Sequence, residues 1–130
     1  MRKIISLPPS LVAKFNNITG LSKEEWHATT DPQSCKVGSG GGTVWALYDE
    51  ERVFGKSNDK RIVIHAGGQS RRLPSYAPSG KVLAPIPIFR WSRGQSVEQN
   101  LLSIQTPLYE RIMESTHPEQ NTLIASGDML

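Results

Sequence analysis

An apolar run that empties into paired glycines constrains this chain more than any other feature. Arg61-Ile-Val-Ile-His-Ala66 is largely apolar and rich in β-branched residues, with Lys60 before it and Gly67-Gly68 after it. It has the length and content of a strand buried on both faces, as in a parallel sheet. A second such run, Thr122-Leu-Ile-Ala-Ser126, ends at Gly127-Asp128. Between them, residues 95–115 place Val97, Leu101, Leu102, Ile104, Leu108, Ile112 and Met113 on an apolar helical face, with Pro107 as an expected kink. Strand, glycine loop, extended segment, helix and strand, in that order, predict an α/β fold with a mostly parallel sheet.

The remaining elements read less sharply. Residues 7–18 predict a first helix: Pro8-Pro9 opens it, Leu11, Val12 and Phe15 have helical spacing, and Gly20 closes it. Ser22 and Glu25 make a capping-box pattern that predicts a short helix over residues 23–29. Residues 31–43 read as loop, dominated by Gly38-Ser-Gly-Gly-Gly-Thr43, with a short helix over 44–52 opening directly from the glycines. Residues 55–60 read as a polar turn. Residues 82–89 read as extended, and Pro85 and Pro87 argue against a regular central strand there.

A chain of 130 residues is one domain's worth, with a single modest core. Its one cysteine, Cys35, has no internal partner for a disulfide, which suits a reducing cytoplasm. No stretch approaches the roughly 20 apolar residues of a membrane span, so no membrane association is expected. A doubly wound sheet normally continues beyond a central strand. Residues 1–130 are therefore expected to be an incomplete half-domain, the N-terminal part of a larger protein; a short complete product is the alternative.

The formal charge of +3 conceals an asymmetry. Lys60, Arg61, Arg71, Arg72, Lys81, Arg90 and Arg93 fall in residues 60–93, which hold no Asp or Glu, while the rest of the chain is net acidic. Such a segment attracts phosphate, whether of a nucleotide or of a nucleic acid. Ala66, Gly67 and Gly68 follow the buried strand, where glycine lets the backbone approach a ligand and successive amides form an anion nest. Gln69 continues this turn, Ser70 adds a hydroxyl, and Arg71 and Arg72 add guanidinium groups able to grip phosphate with two hydrogen bonds. Gly40, Gly41 and Gly42 offer a second place for backbone amides to meet phosphate, or else form a flexible linker. The two commonest nucleotide loops are excluded. A Walker loop ending at Gly80-Lys81 needs glycine at position 75 and a hydroxyl at 82, where Ser75 and Val82 stand. The dinucleotide fingerprint beginning at Gly38 fails at Thr43. His65 reads as a structural group rather than a base.

The segment from Ala66 to Lys81 resembles the nucleotidyltransferase signature, a strand followed by Ala-Gly-Gly-x-Gly/Ser-x-Arg-Leu and then a lysine. Ala66, Gly67, Gly68, Ser70, Arg72 and Leu73 match it. More closely, the chain is similar to the start of the GDP-fucose pyrophosphorylase (fucose-1-phosphate guanylyltransferase) part of bacterial proteins that also carry a fucokinase. Gly38-Ser-Gly-Gly-Gly-Thr43, His65-Ala-Gly-Gly-Gln-Ser-Arg-Arg-Leu-Pro74, Ala77-Pro-Ser-Gly-Lys81, Gln99-Asn-Leu-Leu102 and Thr122-Leu-Ile-Ala-Ser-Gly-Asp128 carry the similarity. Two departures from the wider signature stand out: Lys81 lies one residue closer to Arg72, and Gly80 replaces the usual proline.

The resemblance implies a Rossmann-like nucleotidyltransferase half-domain, with GTP and a sugar 1-phosphate (L-fucose 1-phosphate) as substrates and a GDP-sugar and pyrophosphate as products. It implies catalytic roles for Arg72 and Lys81, nucleotide contacts from Gly40, Gly41, Gly42, Ala66, Gly67, Gly68, Gln69, Ser70 and Arg71, and Mg²⁺ held by Asp128. It also implies fusion to a sugar kinase, and no nucleic-acid partner. Two other readings stay open here: a basic nucleic-acid-binding module, and a nucleotide-binding fragment without turnover.

Overall fold

The computed structural model describes residues 1–67, 80–86, 89–90, 94–95 and 99–127. Its centre is a four-stranded, all-parallel sheet in the order β2-β1-β3-β6. The strands are β1 (Arg2–Ser6), β2 (Trp26–Thr29), β3 (Arg61–His65) and β6 (Thr122–Ser126). Helices α1 (Pro9–Val12) and α2 (Phe15–Thr19) connect β1 to β2, and α3 (Gly38–Phe54) connects β2 to β3. The return to β6 passes through a 3-10 turn (Lys81–Leu83), a two-residue hairpin of β4 (Phe89–Arg90) with β5 (Gly94–Gln95), and α4 (Leu101–Ser115). The expected α/β class and parallel sheet are present. The two runs read as buried strands are β3 and β6, paired from Arg61↔Thr122 to His65↔Ser126; β3 is buried, but β6 is half-buried at the edge of the described sheet, with Ile124 exposed.

Strand alternation sorts the core into two layers. Ile5, Ile62 and Ile64 join Leu7, Leu11, Phe15, Trp26, Val82, Leu83, Leu102, Tyr109 and Met113 on one face. Ile4 and Val63 meet Ala46, with Leu47 alongside, on the other. So α3 covers one face, and α1, α2 and α4 cover the other, a partial Rossmann-like arrangement. Gly42, Ala46 and Glu50 are the buried residues of α3. They recur every four positions, and the first two are small, which lets this helix sit close on the sheet.

Four expectations are corrected. First, β1 was not expected, because Lys3 interrupts its apolar pattern. Lys3 is only 7% exposed; its ammonium lies 2.7 Å from Glu110 and 3.6 Å from Glu25, and over the Trp26 ring. The expected first helix begins later than position 7 and divides into α1 and α2.

Second, the expected helix over 23–29 is a turn followed by β2. Ser22 Oγ accepts from Glu24 N at 3.1 Å, and Trp26 N donates to the Ser22 carbonyl. Beyond that turn, pairing of Trp26–Thr29 with β1 overrides the local helical signal. Third, Gly38 to Thr43 is not a loop; it is the opening of α3, a longer helix than residues 44–52 predicted. Helical glycine costs about 1 kcal/mol relative to alanine, and at Gly41 close packing requires it. A Cβ at Gly41 would stand 2.8 Å from the Val37 Cβ.

Fourth, α4 starts at Leu101 rather than near 95. Asn100 caps it reciprocally with Ser103, and the helix runs through Pro107. Its buried residues are Leu102, Gln105, Tyr109 and Met113, while Leu108 and Ile112 are exposed. Gln105 has no hydrogen-bond partner for either side-chain amide atom among the described residues. In the 82–89 stretch the 3-10 turn and an isolated Pro85↔Asn100 bridge replace a continuous extended segment.

Candidate functional site

Parallel strands deliver their carboxyl ends to one edge of the sheet, where ligands of open α/β folds bind. A crevice of about 1030 Å³ opens there. Ser6 and Leu7 at the end of β1, Thr30 and Asp31 beyond β2, and Gly67 beyond β3 all line it. Lys36 lies on its wall just before Val37, the N-cap of α3. The first-turn amides of a helix lack intrahelical partners and carry a partial positive charge. The crevice therefore combines a carboxylate, an ammonium, a glycine backbone and a neighbouring helix amino end.

Local bonding fixes this edge. Ala66 N donates to the Ser6 carbonyl at 2.9 Å, and Leu7 N to the Thr29 carbonyl at 2.8 Å. Trp45 Nε1 donates to the Thr30 carbonyl at 2.8 Å, which ties α3 to the exit of β2. Across the sheet, Gly127 N donates to the His65 carbonyl at 2.9 Å. A Cβ at Gly127 would lie 2.9 Å from the Ala66 Cβ and 3.2 Å from the His65 carbonyl oxygen. The chain leaving β6 is thus pressed against the chain leaving β3. Gly127→Ala is expected to lower stability by about 1–3 kcal/mol, the usual cost of overpacking; a urea melt reads this directly. Burial pushes the Tyr109 phenol up from its usual range, so it stays neutral and points its hydroxyl at the Ser126 carbonyl, 3.4 Å away.

The expected site residues divide by location. Ala66 and Gly67 sit at the carboxyl edge of β3, and Gly40, Gly41 and Gly42 in the first turns of α3. Gly40 is open, with nothing within 4 Å of an added Cβ. A Cβ at Gly42 would lie 3.6 Å from Asp31 Oδ1 and 3.7 Å from His65 Cε1, so this helix opening lies against the edge of the crevice. Lys81 begins the 3-10 turn, anchored by the buried Val82 and Leu83. Gly68, Gln69, Ser70, Arg71, Arg72 and Asp128 lie outside the described residues. Among the described residues, no group of three or more His, Cys, Asp or Glu is arranged to hold a metal ion.

Gly80 explains one departure from the wider signature. Its φ is +69°, in the left-handed region, and an added Cβ would meet Leu11 Cδ1 at 3.3 Å. Proline, fixed near a φ of −65°, does not fit this backbone. Within the basic stretch of residues 60–93, Lys60 and Arg61 are engaged by protein partners. Lys60 Nζ bonds the Met113 carbonyl and, at 3.2 Å, the Thr116 carbonyl, and Arg61 pairs with Glu50 and Glu51. Lys60 precedes β3 and Arg61 opens it, so both serve the opposite end of the sheet from the crevice. Asp31, Lys36 and Thr43 escaped sequence reasoning as site residues. The exit of β2 was hidden with β2 itself, although two charged residues flanking a glycine-rich helix start were visible.

The fold and the edge crevice define an α/β protein with a crevice at the carboxyl ends of its parallel strands. Within that class, the chain is 52% identical to the L-fucokinase/L-fucose-1-P guanylyltransferase of Bacteroides fragilis over 137 aligned positions, which cover 99% of this chain and 14% of that protein. It is 39% identical to the human fucose-1-phosphate guanylyltransferase over 49% of the chain and 11% of that protein. With the mouse fucose-1-phosphate guanylyltransferase it shares 31% identity over 72% of the chain and 15% of that protein. The chain is thus similar to part of these proteins, and it spans about one-seventh of the length of the Bacteroides protein. No family model and no solved structure matches it. No helix among the described residues is long and apolar enough to cross a membrane.

Proposed function

We propose that this chain supplies the nucleotide side of a sugar-1-phosphate guanylyltransferase site, forming GDP-fucose and pyrophosphate from GTP and L-fucose 1-phosphate. The observation that carries this reading is the crevice at the carboxyl ends of β1, β2 and β3, in a chain similar along almost its whole length to a protein named for that transfer. Fusion to a sugar kinase, as the name of the Bacteroides relative records for that protein, belongs to the same proposal.

The chemistry is an in-line displacement. An oxygen of the sugar phosphate forms a bond to the α-phosphorus of GTP, and the bond from that phosphorus to the bridging oxygen breaks, so pyrophosphate leaves with the electron pair. The nucleophile is already an anion, so no protein base is needed. Catalysis then rests on positioning and on offsetting charge. Gly67, Gly68, Gln69 and Ser70, with Ala66 before them, would cradle phosphate oxygens. Arg72 and Lys81 would balance the charge that gathers on departing pyrophosphate, with Arg71 adding a further phosphate contact. Gly40, Gly41 and Gly42 would present the first-turn amides of α3 to the nucleotide. Mg²⁺, when bound, would supply charge neutralisation between phosphate oxygens and a carboxylate. It takes only one or two carboxylates in such sites and keeps water and phosphate as its other ligands. Asp31 on the crevice wall is an oxygen donor of the required kind, and Asp128 follows Gly127 in sequence. We assign the role to Asp128.

Calorimetric titration of the protein with GTP, ATP and a single-stranded oligonucleotide, with and without Mg²⁺, tests the reading. GTP with Mg²⁺ is expected to bind, and the oligonucleotide is not. Absence of GTP binding by the full-length protein sinks the proposal. Salt-sensitive oligonucleotide binding in its place would install the nucleic-acid reading. GTP binding without product formation would reduce the function to nucleotide binding alone.

A further inference from the structure

Two glycine-bearing segments, one in the crevice and one at its edge, belong to different elements, and a side-chain pair joins them. Thr43 lies in the second turn of α3, directly after Gly40, Gly41 and Gly42. His65 ends β3, directly before Ala66 and Gly67. Thr43 Oγ1 lies 2.8 Å from His65 Nε2 and 3.0 Å from the Ser39 carbonyl oxygen. Both side chains are half-buried.

The hydroxyl has one proton and two lone pairs. A carbonyl oxygen only accepts, so the Thr43 proton goes to Ser39. The contact with His65 then requires Nε2 to be the donor. The neutral ring is therefore the Nε2–H tautomer, with no proton on Nδ1. The pair has a direction: imidazole donates to hydroxyl, and hydroxyl donates to the first-turn carbonyl of α3. The chain of bonds runs from the last residue of β3 to Ser39 in the first turn of α3.

We propose that His65 and Thr43 form a latch that sets α3's opening turn against the β3 exit, making His65 a positioning residue for the nucleotide. The inference rests on the guanylyltransferase reading for its ligand, and on the bonding geometry for its mechanism. Gly42 supports it independently, because its backbone comes close enough to the His65 ring for an added Cβ to touch Cε1. Rotation of the ring or a shift of the helix start would change the spacing between the amides of α3 and Gly67. Ordinary core packing on the sheet, through Ala46 and Leu47, is separate from this contact.

The test uses Thr43→Val, which keeps the shape and removes the hydroxyl, Thr43→Ser, which restores it, His65→Leu, and the Thr43→Val/His65→Leu double variant. In the wild-type protein, a long-range proton–nitrogen NMR spectrum is expected to show the Nε2–H tautomer at His65, and Thr43→Val is expected to disturb that ring's signals. GTP affinity is expected to fall about tenfold in Thr43→Val and in His65→Leu, the effect of one lost hydrogen bond at a positioned site. The double variant is expected to lose no more than the worse single variant, because both break one link. Thr43→Ser is expected to recover most of the affinity, which a general packing defect would not allow. Unchanged GTP affinity in both single variants, additive losses, or an Nδ1–H tautomer overturns the latch while leaving the functional reading intact. Failure of the wild-type protein to bind GTP overturns the functional reading, and the positioning role with it.

Discussion

Arg72→Ala is expected to lower kcat/KM for GDP-sugar formation about a thousandfold, with little change in the thermal midpoint. A guanidinium aimed at a departing phosphate stabilises charge that is largest in the transition state, and comparable arginines contribute roughly 10³-fold or more. Arg72→Lys is expected to recover only a small part, because an ammonium does not reproduce the planar two-pronged contact. Lys81→Ala is expected to fall less far, about a hundredfold, since a point charge tolerates replacement by water and counter-ion better. The measurement is the initial rate with GTP and L-fucose 1-phosphate in the full-length protein. A loss below tenfold for Arg72→Ala would remove that residue from the site.

The largest stability effect is expected at the other end of the sheet. Glu50 is completely buried, yet it is a carboxylate. Arg2 hydrogen-bonds its Oε1, and Arg61 Nε approaches its Oε2 at 3.3 Å as an ion pair without hydrogen-bond alignment. Arg61 is itself buried, and its Nη2 is held by Glu51 and by the Ser57 carbonyl. Glu50→Ala leaves the Arg2 guanidinium facing a cavity without its carboxylate and leaves Arg61 with Glu51 in place of two carboxylates. Such half-removed buried pairs cost about 3–5 kcal/mol, comparable with the whole stability of a marginal domain. Denaturant unfolding of the two proteins measures it. A loss under about 1 kcal/mol would show that water reaches Arg2 and Arg61 in place of the carboxylate. Replacing all three charged residues with apolar ones is expected to cost far less than Glu50→Ala alone, because nothing charged is then stranded.

That ion cluster also shows what the amino-acid sequence could and could not disclose. The β3 strand was legible because its burial on both faces leaves a continuous apolar run; β6 carries a similar run although it lies at the edge of the described sheet with Ile124 exposed. The long helix before β6 was legible in outline, and its inward face in part: Leu102 and Met113 are buried as expected. Gln105 and Tyr109 point inward where Leu108 and Ile112 had the better claim on hydrophobicity. The β1 strand was illegible because a buried lysine breaks its pattern, and the carboxylates that neutralise it, Glu110 and Glu25, lie outside the strand. The β2 strand was concealed by a good local turn signal at Ser22. Glycines 40 to 42 looked like loop because glycine is a poor helix former; at Gly41 the close approach of Val37 leaves no room for a side chain.

For the site, the glycine pair after β3 and its place at a strand's carboxyl end were legible, since short-range pattern determines both. The grouping of Asp31 and Lys36 with Gly67 around one crevice was not. It depends on β2 lying two strands away from β3, which no local pattern encodes. Charge reading alone overstated the basic surface, because Lys60 and Arg61 spend their charge on carbonyls and on Glu50 and Glu51.

The strand order has a kinetic consequence. The central pairings join Arg2 with Arg61 and Arg61 with Thr122, so each closes a long segment of chain. Only the β1–β2 pair is comparatively local. Contact order of this kind slows folding, because loop-closure entropy is lost before the pairing returns it. A nascent chain that has emerged only as far as α3 has β1 and β2 but no β3 to fill the sheet between β1 and β6. Its Ile4 and Ile5 then have an unpaired edge beside them. Synthesis of residues 61–65 is the point at which that exposed edge closes, so the early chain is the stage most open to chaperone capture or misassociation.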